Sequence, residues 1–196
     1  MKECSDTDFD RRRFLAAATI IPITSLLPAA SVIAQPSSPD ASKQFDFLIG
    51  RWDVRHRKLK ARLQQSDEWI KFAGSLEVKP ILAGKGNIDE NVLNDPSGRY
   101  LASSLRVFDP KSLQWSIYWI DERFPGIEKP VVGRFEGGVG RFYTDDNLAG
   151  QSIKVRFTYQ STDAKNAIWT QAFSADSGDS WETNWIMEFS RNGKPQ

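Results

Sequence analysis

His56 is the only histidine in the 196-residue chain, so any imidazole chemistry runs through it. A neutral ring there suits an axial ligand to haem or another centre, or a general base. The same ring also reads as a strand-end histidine hydrogen-bonded to a neighbour. Arg55, Arg57 and Lys58 surround it in sequence, and like charge disfavours its protonation. A lone histidine lacks the oriented partner that catalysis or ligation normally uses. Carboxylates come in adjacent pairs, Asp89–Glu90 in "IDEN" and Asp121–Glu122 in "IDER". Adjacent residues on a strand point to opposite faces, so neither pair converges on one reacting centre. Both read as solvated loop or rim charge. Ser103, His56 and Asp121 supply the residue types of a triad, but no nucleophile-elbow sequence surrounds the serine. "GGVG" near Gly137 lacks the helix and lysine of a phosphate loop and reads as a hairpin turn.

Thiol and metal chemistry is narrow as well. The single cysteine, Cys4, lies in the N-terminal segment. The chain after that segment has no disulfide, no thiolate nucleophile and no Cys-ligated metal site. One histidine excludes a His-cluster site, so no metal site is expected. "SADSGDSW", Ser174 to Trp181, resembles the aspartate box of sialidase propeller blades. Physically it is a hairpin: Asp176 caps turn amides, Gly178 supplies positive φ and Trp181 folds back across the strands. One copy in a short chain reads as a structural turn.

Aromatic residues form the largest candidate set. There are seven Trp and twelve Phe, nearly all after residue 44. Trp52, Phe72, Trp119, Phe157, Tyr159 and Trp185 either fill a core or line an apolar cavity with a few polar handles. His56, Ser103, Tyr159 and Thr183 are the candidate handles.

The elements that position these groups are strands. Turn signals "NDPSG", "DPKS", "EGGVG", "DDNLAG" and "DSGD" separate short extended segments. Strands are predicted at 51–60, 68–82, 87–93, 100–108, 115–121, 131–136, 141–144, 153–159, 167–174 and 181–191. Short links imply antiparallel neighbours, and about ten strands must close or fold back to hide their edges. A closed barrel is preferred to a two-sheet sandwich. Alternation puts Trp52, Val54, His56 and Lys58 on one face of the first strand. Ile70, Phe72, Leu76 and Val78 share a face on the second, and Ile153, Val155, Phe157 and Tyr159 on the eighth. On the last, Trp181, Thr183, Trp185, Met187 and Phe189 do so. Bulky rings are expected inside and ionised groups outside. The fifth strand, "WSIYWID", is apolar on both faces, so a loop or a partner chain covers it, and a homodimer is one arrangement.

Residues 1–34 read as an address. Arg11 and Arg12 precede Phe14, Leu15, a modest apolar run broken by Pro22 and Pro28, and a small-residue site ending at Ala34. This resembles the bacterial twin-arginine export signal, with an ordinary Sec signal as the rival. Periplasmic or secreted localisation is expected, with the Tat or Sec machinery as a partner. The run is too interrupted for a stable membrane anchor. Residues 35–44, "QPSSPDASKQ", read as a tether, and 45–196 as one domain. The net charge of +1 argues against nucleic acid as the main partner.

Gly50-x-Trp52, opening a meander, resembles the calycin barrels: lipocalins, fatty-acid-binding proteins and nitrobindin-like proteins. In those families the tryptophan packs across the barrel floor and a short helical turn often closes it. "FDFLIGRWDV" and "WTQAFSADSGDSWETNW" look like front and rear signatures of an uncharacterised family of secreted bacterial proteins with this barrel. The resemblance implies an all-β antiparallel meander closed into a calycin-like barrel of about 8–10 strands. It also implies a small, mostly apolar ligand inside, such as a lipid, terpenoid, pigment or haem-like molecule. No cofactor is required; haem is the exception, although a nitrobindin-like site needs a late histidine that this sequence lacks. The alternative is a cofactor-free isomerase, cyclase or lyase acting on such a ligand. A third reading is an interaction module built on the fifth strand and residues 121–130.

Overall fold

A computed structural model of the chain describes residues 40–124 and 126–191; the leader with Arg11 and Arg12 lies outside the described residues. Ten antiparallel strands form one closed barrel: β1 (Gly50–Leu59), β2 (Trp69–Ile81), β3 (Gly86–Leu93), β4 (Tyr100–Asp109), β5 (Gln114–Asp121), β6 (Val131–Glu136), β7 (Val139–Leu148), β8 (Gln151–Ser161), β9 (Asn166–Ser174) and β10 (Glu182–Ser190). Each pairs with the next in sequence, and β10 closes on β1. The barrel expectation therefore holds at ten strands. β7 runs past the predicted 141–144 at both ends, because its polar second half, Asp145–Leu148, pairs with Gln151–Lys154 of β8.

Register shows why the alternation works. Trp52 pairs with Leu76, Val54 with Gly74 and His56 with Phe72, and paired residues share a face. Gly74 is required there: a Cβ would collide with the Val92 carbonyl oxygen and stand 2.7 Å from His56 Nε2.

One end of the barrel is plugged. Two 3-10 turns, Ala41–Lys43 and Asp46–Leu48, lie across it. Phe45 and Leu48 are fully buried. The Phe45 ring meets Trp115 at 4.9 Å, Phe135 at 4.9 Å and Tyr159 at 5.1 Å. Trp52 donates from Nε1 to the Leu48 carbonyl at 2.7 Å, and the Arg191 guanidinium covers the Trp52 ring at 4.1 Å. Residues 41–44 are thus part of the packed end rather than tether: Asp40 caps the first turn, and Trp115 Nε1 donates to the Ala41 carbonyl at 3.2 Å.

Two side-facing expectations fail. Ser103 lies between the inward residues Ala102 and Ser104, and its hydroxyl donates to the Asp89 carbonyl rather than entering the barrel. Thr183 is displaced by a bulge. It pairs with Ala172, Trp185 pairs with Gln171, and Asn184 is the extra residue between them. The bulge moves Thr183 off the inward phase and Glu182 onto it.

Candidate functional site

The interior has three levels above the plug's first turn. The lowest is the aromatic cluster around Phe45. Above it sits a polar group that the sequence reading placed in solvent. Asp89 and Arg106 are both buried and stand 2.7 Å apart. Arg106 also donates to Asn87 Oδ1 at 2.9 Å and to the Tyr159 hydroxyl at 3.3 Å. Asp89 Oδ1 accepts from the Ser104 amide at 2.8 Å. Burial by itself lowers the affinity of Arg106 for its proton, but Tyr159 and Asp89 outweigh it and raise the pKa. The phenol of Tyr159 is pushed up by burial, against the pull of Arg106. A void of about 20 Å³ adjoins this group, room for one water. Asn87, Asp89 and Asn91 therefore form an inward polar stripe on β3. Asp89 is corrected from rim charge to buried ion pair. The bare alternation of Asn87–Leu93 does not say which of its two faces is inside.

The third level is open space. A chamber of about 580 Å³ is walled by Trp119, Trp169, Trp185, Phe157 and Phe173 and opens between Lys58, Arg62, Arg123 and Glu128. Trp185 stands edge-on to Trp169 at 5.4 Å and to Trp119 at 6.0 Å. Lys58 reaches the wall because it continues the inward phase of β1 opposite Trp185. Its Nζ lies 4.5 Å from the Trp185 ring centre. Burial, with Arg62 next, pushes Lys58 down to about 8. The Arg62 guanidinium lies over Phe173 at 5.6 Å and is also lowered by burial. Across the mouth, burial raises Glu128, and Asp146 and Asp121 add to it. Asp121 is largely buried and held by Arg123 through two contacts at 2.9 and 2.6 Å.

The proposed site residues divide by level. Trp119 and Trp185 line the chamber, with Phe157 from the same aromatic set. Tyr159 belongs to the polar group beneath it, and Trp52 to the plugged floor. His56 and Phe72 stack face to face at 4.5 Å behind Trp185. His56 is 1% exposed, and its Nδ1 accepts from Trp185 Nε1 at 3.3 Å. Its Nε2 lies against Gly74, so neither nitrogen faces the chamber and the ring does not fit an axial haem ligand there. Desolvation, with Lys58 second, lowers it to about 4. Ser103 and Thr183 are outside the chamber wall, as described above. Trp169, Phe173, Gln171, Lys58 and Arg62 were missed as site residues; the alternation already set Lys58 on the face of Trp52 and His56, but ionised groups were expected outside.

The "SADSGDSW" hairpin is a turn with all its parts used internally. Asp176 Oδ1 accepts from Ser174 Oγ at 2.7 Å and from the Ser180 amide at 2.9 Å. Trp181 Nε1 donates to the Gly178 carbonyl at 2.9 Å. β5 pairs with β6 only over Trp115–Ile117. Beyond that, its own following loop meets it, with Glu128 N–H donating to the Trp119 carbonyl at 3.2 Å.

No protein-family model matches the sequence, and no curated protein matches it. Solved structures do. The S-type phycobiliprotein lyase CPES from Guillardia theta is 8% identical over 78% of this chain and 93% of its own, with a TM-score of 0.51. EF1p2_mFAP2b bound to DFHBI is 9% identical over 78% of this chain and 99% of its own, with a TM-score of 0.43. The fold is that of a calycin-like barrel.

Proposed function

We propose that the protein binds a small, mostly apolar molecule in the chamber above its polar layer. The observation that carries this is the division of the interior. The lower part is packed by Phe45 and its neighbours, while about 580 Å³ stays open among three indoles. Close packing is the default of protein interiors, so an open chamber of ligand size with an aromatic wall and a charged rim is the feature to explain. Titration with the neutral dye N-phenyl-1-naphthylamine tests it. Saturable binding at one site per chain, with quenching of tryptophan emission, is expected; absence of saturable binding would overturn the reading. Export through the leader of residues 1–34 belongs to the same proposal. A fusion of that leader to a reporter active only outside the cytoplasm checks it, with Arg11→Lys/Arg12→Lys separating the Tat from the Sec route.

A second reading, a cofactor-free isomerase, cyclase or lyase, is favoured by one observation. Glu128 lines the chamber and is held above the usual carboxylate range by burial, Asp146 and Asp121. Upward is the direction in which a carboxylate is tuned for general acid or base work.

A further inference from the structure

Four cations stand at the mouth of the chamber, and they are not equivalent. Arg123 is bound to both oxygens of Asp121, and Lys129 donates to the Asp145 carbonyl at 3.3 Å. Lys58 and Arg62 have no carboxylate within ion-pair distance among the described residues. Each lies instead over an aromatic face of the wall, Trp185 or Phe173. Both also border the outer groove beside the mouth, so they stand at the boundary between chamber and solvent. The carboxylates that act on them, Asp95 and Asp121 on Lys58 and Glu182 on Arg62, do so from beyond ion-pair distance, so the loss of hydration is only partly compensated.

Resting on the binding reading above, we propose that the ligand is an amphipathic anion. Its apolar body lies among Trp119, Trp169 and Trp185, and its carboxylate is held between Lys58 and Arg62. The opposite rim supports this polarity. Glu128 and Asp146 stand on the β6 and β7 side, five and four strands from β1 in the ring. They repel an anionic head there and leave one orientation, head toward β1. Arg62 supplies a planar fork for a carboxylate and Lys58 a point charge. Apolar burial and charge pairing then add at separate ends of one molecule.

Dodecanoate, dodecanol and dodecylammonium share a tail and differ in the head, so calorimetric titration of all three isolates the charge effect. The acid is expected to bind about tenfold or more tightly than the alcohol, the size of one charge-assisted contact. Lys58→Met and Arg62→Met each remove most of that preference, read as the ratio of acid to alcohol affinity within the same variant. Equal binding of acid and alcohol would overturn this inference and leave the binding chamber standing. Tighter binding of the ammonium would overturn it and assign the head group to Glu128 and Asp146. Binding of none of the three removes both readings together.

Discussion

His56 shows how a residue that looks catalytic is consumed by structure. Its ring is stacked on Phe72, its Nδ1 takes the Trp185 indole N–H, and burial leads the shift from 6.5 to about 4. The sign follows from proton counts. Unfolded His56 takes a proton below about 6.5 whereas the folded ring stays neutral to about 4, so the unfolded state binds more protons in that window. Stability from this residue is complete above the window and is lost as pH falls through it. The loss at about pH 4.5 is about 2 to 3 kcal/mol. His56→Phe is expected to flatten this limb in urea denaturation at about pH 7 and about pH 4.5. At neutral pH it costs about 1 kcal/mol, because Trp185 loses its acceptor. Identical slopes in the two proteins would refute the assignment. The inward position of His56 was legible from the alternation it shares with Trp52 and Val54. Its lack of access to the chamber was not, since period two gives a face and no height. Ser103 and Thr183 failed for different reasons. For Ser103 the neighbouring serine was the inward one, and for Thr183 the Asn184 bulge changed the phase without any turn residue to announce it.

Among the elements, the ten strands were readable because turn chemistry and alternation agree along most of the chain. The plug was only partly readable. The calycin resemblance implied one short helical turn at the floor, but nothing local shows that Ala41–Lys43 also packs, since its anchor is Trp115, distant in sequence. The residue that follows β10 adds a clamp on the plug from outside. Arg191 donates to the Phe47 carbonyl at 2.8 Å and the Ile49 carbonyl at 2.6 Å while covering Trp52. These contacts are exposed, so their worth is modest. Arg191→Met is expected to cost about 1 to 2 kcal/mol. Its clearer effect is local: amide exchange at Leu48 and Ile49, which bond back to Phe45 and Asp46, should accelerate ahead of β4 and β5. Uniform acceleration across the barrel would mean that Arg191 supports the whole wall and not the plug.

At the scale of the molecule, strand number explains the divided interior. About eight strands give a barrel that side chains just fill, and ten leave more room. The plug, with Phe45 at its centre, occupies the extra width at one end only. The Asp89–Arg106 layer then seals the packed half from the open one, and the sequence did not disclose it because both faces of β3 carry polar residues. The two halves should answer the same substitution differently. Val78 pairs with Gly50 and Asp89 near the floor and is 2% exposed, while Val155 is 5% exposed and faces the chamber. Val78→Trp forces a large ring into packed atoms and is expected to cost about 3 kcal/mol or more. Val155→Trp adds the same ring where space exists, so its melting temperature should hold or rise while dodecanoate affinity falls about tenfold or more. Equal destabilisation by both, read by scanning calorimetry, would mean that the chamber closes in solution and that the interior is one continuous core.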